Sequence, residues 1–165
     1  IKKEDGMPVT IHLEKLKDED LHLTGELPAD DLQLDLGGPH DLIRSAENLQ
    51  YEINAARADD SILIQGHLKI ELLCDCARCV QPFTHTMDLP NWSAILALSG
   101  TDAIETIGEY VDLTPSFRED ILLGLPRHPL CDESCQGLGF QQEIVHEEDE
   151  GQSDEWGELD EWKQS

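Results

Sequence analysis

Apolar and polar residues alternate over much of the first hundred positions, and a period of two is what a half-buried strand requires. Residues 8–13 (Pro-Val-Thr-Ile-His-Leu) and 21–24 (Leu-His-Leu-Thr) alternate on either side of a charged turn at 17–20, which predicts a pair of short strands. Residues 27–34 place Pro28 near a helix start with Asp30 and Asp31 in the first turn, where acids favour the positive end of the dipole. A short helix is expected there, stopped by Gly37, Gly38 and Pro39.

The middle of the chain carries the strongest strand signal. Residues 49–56 alternate, Asp59 and Asp60 supply a turn, and 61–73 form a long β-rich run, so a hairpin is predicted. Residues 83–89 and 92–98 read as two further extended segments, which makes the whole an antiparallel meander. Residues 99–108 have turn chemistry without a period and read as a loop, and 110–113 read as a short strand. Residues 114–124 read as a helix with Thr114 as N-cap, Pro115 at the first helical position, and Phe117, Ile121 and Leu122 on its buried face. The expected fold is α+β, an antiparallel β-sheet meander with one or two short helices packed on it, over residues 7–140.

Beyond that point the pattern changes. Residues 143–165 hold ten acids and one base, Lys163, so 141–165 are expected to form an acidic, partly disordered tail. Within it Trp156, Leu159 and Trp162 recur at helical spacing, which predicts a short amphipathic helix over 153–162. Trp156 and Trp162 would either tether the tail to the domain or anchor a partner.

Charge narrows the range of functions. The 165 residues carry 36 acids against 11 Lys and Arg, a net charge of −25, and no basic run longer than Lys2-Lys3. Nucleic-acid affinity comes mainly from cations that displace phosphate counterions, so direct RNA contact should be weak or indirect and a basic protein is the natural partner. No stretch is apolar enough to span a membrane and residues 1–30 show no signal peptide, so a soluble, cytoplasmic protein is expected.

The candidate chemistry lies in five cysteines. Cys76-Ala77-Arg78-Cys79 and Cys131-Asp132-Glu133-Ser134-Cys135 are two spaced pairs, and zinc takes four such thiolates in a closed tetrahedral site. Cys76, Cys79, Cys131 and Cys135 are therefore candidate ligands of a structural Zn2+, with Cys74 left over. Free thiols and a disulfide are the alternatives. Arg78, between two of these cysteines, would contact an RNA phosphate of a partner or pair with an acid inside the domain. A thiol nucleophile assisted by a histidine, such as Cys131 with His85, would need a proximity that spacing does not supply. No phosphate-cradling glycine loop is present.

Several of these phrases occur together in one known pattern. Cys76-Ala77-Arg78-Cys79 with Pro82-Phe83-Thr84, then 108–113, the helix after it, and the run from Leu125-Pro126 through Cys131 and Cys135 to Leu138 resemble the YceD family of large-subunit ribosomal RNA accumulation proteins. The resemblance covers most of residues 10–140. It implies a role in synthesis, processing or stability of 23S ribosomal RNA, without catalytic chemistry. Combined with the charge, the expectation is a non-enzymatic ribosome-biogenesis factor acting through a basic ribosomal protein or assembly factor. The alternative is a redox- or metal-responsive regulatory protein that uses the two cysteine clusters.

Overall fold

The longest alternation in the chain becomes the central strand. The computed structural model describes residues 8–139. In it β5 (Ser61–Asp75) buries Ile62, Ile64, Leu68, Ile70, Leu72 and Cys74, every second position but one, against a single apolar core. β4 (Leu49–Ala58) joins it through the Asp59-Asp60 turn and pairs antiparallel from Ala58↔Ser61 to Gln50↔Lys69, so the expected hairpin is present. Gly66 is the exception in the buried series. A Cβ there would lie 2.1 Å from the Glu52 carbonyl oxygen, so only glycine lets the two strands approach this closely.

On the other side of β5 runs β6 (Pro82–Ala97), paired from Asp75↔Pro82 to Ser61↔Ala97. The two extended segments expected here are one strand with a bulge. Pro90 and Asn91 together lie opposite His67, so the inward positions shift from Phe83, His85, Met87 and Leu89 to Trp92, Ala94 and Leu96. A bulge on an edge strand is also where a proline, lacking a donor, is tolerated.

β2 (Leu21–Leu27) pairs with β4, and β3 (Ile43–Ala46) pairs with the far end of β5, completing a five-stranded sheet. β3 was not expected; it has four residues with Arg44 and Ser45 at its centre, too short and polar to show a period.

The pairing expected between residues 8–13 and 21–24 is not made. β1 (Thr10–His12) pairs instead with β8 (Tyr110–Asp112), which also pairs with β7 (Thr106–Ile107) in a separate three-stranded sheet. The physical reason is twofold. Ile11 sits opposite Val111 with both fully buried, and the strong helix formers that follow make α1 (Leu13–Asp18), which buries Leu16 and separates β1 from β2. The predicted loop at 99–108 thus contributes β7, turned into β8 at Gly108, where φ is 64°.

α2 (Ala29–Leu32) is the expected short helix, reduced to one turn and ended by Gln33 in the left-handed region rather than by Gly37. α3 (Thr114–Gly124) follows the expected course with Phe117 and Ile121 fully buried. Its N-cap differs from expectation. The Thr114 hydroxyl accepts the Val9 N–H at 3.3 Å, and the Asp112 carboxylate accepts the Thr114 N–H at 2.8 Å, so Thr114 is spent on β1 and Asp112 serves the helix start. Phe117 packs with ring centroids 5.7 Å from Tyr51 and 5.1 Å from Trp92, which fixes α3 on the inner face of the larger sheet. The architecture is mixed α and β, with antiparallel sheets and short helices. The acidic tail over 141–165, its helix at 153–162, and Trp156 and Trp162 lie outside the described residues.

Candidate metal centre

Two loops that the fold brings to one end of the larger sheet carry the cysteines. The first is the β5–β6 turn. Cys76 donates its N–H to the Gln81 carbonyl at 2.9 Å and its own carbonyl accepts the Val80 N–H at 2.9 Å, a closed turn that sets Cys76 and Cys79 side by side. Val80 completes it at φ 60°, a region unfavourable to a β-branched residue, so the surrounding bonds impose that conformation. The second loop follows α3. Asp132 accepts the Ser134 N–H at 2.8 Å and its carbonyl accepts the Cys135 N–H at 3.1 Å, curling the chain so that Cys131 and Cys135 face the same way. The Ser134 donors hold the Asp132 carboxyl below the usual carboxylate range.

Backbone contacts join the loops. Ala77 donates to the Pro129 carbonyl at 2.8 Å and Leu138 donates to the Arg78 carbonyl at 3.2 Å. Arg78 adds its guanidinium, whose Nη1 donates to the carbonyls of Glu133 at 3.1 Å and Cys135 at 3.0 Å. The acid partner weighed for Arg78 is therefore replaced by two backbone carbonyls. The tight second loop turns these outward, and a planar cation carries enough donors to satisfy both.

The four sulfurs of Cys76, Cys79, Cys131 and Cys135 lie within 4.8 Å of one another, as zinc ligands would. Across the loops Cys76 and Cys135 sulfurs are 3.8 Å apart and Cys79 and Cys131 sulfurs 3.7 Å. A zinc tetrahedron with bonds of about 2.3 Å has sulfur–sulfur edges of about 3.8 Å, whereas a disulfide needs about 2.05 Å. All five cysteines are free thiols here. The spacing thus fits four-sulfur coordination of a soft divalent ion and leaves no open ligand position.

The electrostatics agree with that donor set. Backbone N–H groups of Cys131, Cys79 and Arg78 point at the Cys76 sulfur and bring its thiol down to about 6, against the effect of burial. Cys131, hydrogen-bonded by Cys76 and Cys79 and partly desolvated, is pushed up to about 12. A divalent cation bound here would deprotonate all of its sulfur ligands. Cys74 stays apart. It is fully buried in β5, burial raises its thiol, and it packs as a small apolar residue. Among the described residues no histidine hydrogen-bonds a cysteine sulfur, so the Cys131 and His85 pairing gains no support.

Two contributors were not visible from spacing. Val80 carries no signal except its position after Cys79, and Pro129 acts through a carbonyl that every residue possesses.

A family model described as Large ribosomal RNA subunit accumulation protein YceD matches residues 64–163. The match begins within β5 and includes both cysteine loops and α3, whereas the resemblance read from the residues extended back to position 10. No curated protein and no solved structure matches the chain. A match across more than half of the chain, taking in the cysteine loops whose geometry is described above, places this protein in the YceD family of large ribosomal RNA subunit accumulation proteins.

Proposed function

We propose that this protein is a non-catalytic assembly factor that promotes accumulation of 23S ribosomal RNA in the cytoplasm by engaging a basic ribosomal protein or assembly factor. The family match carries the link to large-subunit RNA. The charge of −25 supports a protein partner over RNA, since opposite fields speed encounter while like charge repels phosphate. Among the described residues no helix is long and apolar enough to cross a membrane.

In this reading Cys76, Cys79, Cys131 and Cys135 hold one zinc ion as a staple between the β5–β6 turn and the segment after α3. The close approach of four sulfurs supports it. Protein purified without chelator should contain about one equivalent of zinc, and repeated preparations with far less would sink the assignment. For the partner, a pull-down from lysate with and without ribonuclease separates the two cases. Retention of the same basic protein after ribonuclease supports the proposal, and its loss shows that RNA bridges the complex.

A redox-responsive reading draws on the same site, because sulfurs of opposite loops approach to 3.7 and 3.8 Å. Thiol titration before and after mild peroxide treatment of zinc-loaded protein distinguishes it: unchanged thiol and zinc content leaves the staple.

A further inference from the structure

The larger sheet has one face committed to the core and one that is not. Phe117 of α3, Leu32 of α2 and Leu16 of α1 all join the inner core. Across the other face lie two adjoining hollows of about 430 and 380 Å³ that share Glu26, Gln50 and Lys69 and so form one continuous groove over β2, β4 and β5. Glu47 and Glu71 extend it toward β3, and Glu52 lines the opposite part. Against these four carboxylates stands one cation, Lys69.

The carboxylates have little internal compensation. Among the described residues Glu26, Glu47 and Glu71 make no ion pair, and Glu52 reaches only His22, at 3.8 Å. Four other cations are engaged elsewhere, Arg44 with Asp75, Lys17 with Glu14, Arg118 with Asp35 and Arg78 with the cysteine loop, and Lys15, Arg57 and Arg127 do not line the groove. A concave surface with unneutralised acids on each side of a single lysine repels phosphate and attracts polycations. Amide and hydroxyl groups of Gln50, Asn48, Ser45 and Thr84 within it can hydrogen-bond an extended main chain.

We propose that this groove is the docking surface for an Arg- and Lys-rich segment of the basic partner. The proposal rests on the partner reading above and adds the location. Because opposite charges straddle Lys69, its removal should strengthen binding, which separates a local site from general attraction to an anionic protein.

The test uses the full chain and a fluorescent ten-residue oligoarginine peptide, with anisotropy read at near-physiological salt. The triple variant Glu26→Gln, Glu52→Gln, Glu71→Gln should weaken binding about tenfold, and Lys69→Gln should tighten it about threefold. A matched control, Asp18→Asn, Glu19→Gln, Asp20→Asn, changes net charge equally at the exposed C-terminal end of α1 and the residues after it, and should alter binding less than about twofold. Thermal melts of all variants confirm that each is folded. Equal weakening by the groove triple and the control overturns the docking site while leaving a basic partner intact, because attraction would then follow net charge alone. An unchanged or weakened Lys69→Gln variant likewise overturns it. No binding of the peptide by the parent chain removes the groove and the basic-partner reading together.

Discussion

Phe117 and Cys76 are both fully buried, and they belong to parts of the molecule held by different means. Phe117 sits in a continuous apolar core with Ile53, Ile64, Leu68, Tyr51 and Trp92 around it or nearby, where stability is proportional to the area removed from water. Cys76 sits where that core ends. Beyond it Ala77, Arg78 and Val80 are exposed, as are Cys131 to Ser134, and the two loops meet through a few backbone hydrogen bonds, one guanidinium and four sulfurs. The sheet body packs around a continuous apolar core, whereas the cysteine end is mostly exposed and is joined by specific polar contacts. A metal ion is the kind of crosslink such an end lacks.

Substitutions can break that division. Phe117→Ala should have the largest effect, a loss of about 3–5 kcal/mol by denaturant unfolding, because the site lies between two strands and a helix with no room to collapse. The cysteine end should fail with it, since the body positions both loops. Retention of full metal binding in a variant whose body has unfolded would show the two regions to be independent. Trp92→Phe removes the indole donor that meets the Asp120 carboxylate at 2.5 Å and should cost about 1–3 kcal/mol, again seen as a shift in the denaturation midpoint.

The remaining tests act on the cysteine end alone. Val80→Gly relieves a β-branched residue at φ 60° and should make metal binding tighter by about 1 kcal/mol, measured by competition with a chromogenic chelator. Weaker binding would mean that the valine side chain, although exposed, contributes a contact of its own. Cys131→Ser should have the smallest effect on the body, within about 0.5 kcal/mol, because the side chain is exposed. If the four sulfurs hold zinc as proposed, the same variant should bind far less of it than the parent, and amide exchange should rise in the two loops while β4, β5 and β6 stay protected. A body destabilised by several kcal/mol would erase the distinction between the regions.

Much of the body could be read from the order of residues. The β4–β5 hairpin was legible because an alternating segment and a long β-rich run flank a two-residue turn, and α3 because Pro115, Phe117 and Ile121 fall at helical positions. β6 was legible in substance and not in form. The change of phase at Pro90 and Asn91 was visible as a break between two segments, but only the register opposite His67 shows it to be a bulge within one strand. The partner of β1 was not legible at all, since a three-residue strand pairs with whatever the rest of the fold presents, and that lay about a hundred positions away.

At the cysteine end the spacing announced candidate ligands, but their convergence depends on how far α3 carries the chain back toward β5. The carbonyl acceptors of Arg78 leave no trace in side-chain identity. The same holds for the groove: Glu26, Glu52 and Glu71 come from three strands, and nothing short of the sheet's register brings them onto one surface.

The pairing of Thr10 with Asp112 also sets an order of events during folding. Bringing ends so distant together costs closure entropy that local contacts do not, and it is recovered only when Ile11 and Val111 are buried over a core already assembled from the intervening residues. The β4–β5 hairpin and β6 can form as the chain emerges from the ribosome, but β1 must wait for β8. β1, synthesised before the other strands of the described residues, is therefore among the last of them to be placed, and until then its apolar positions are open to any competing strand.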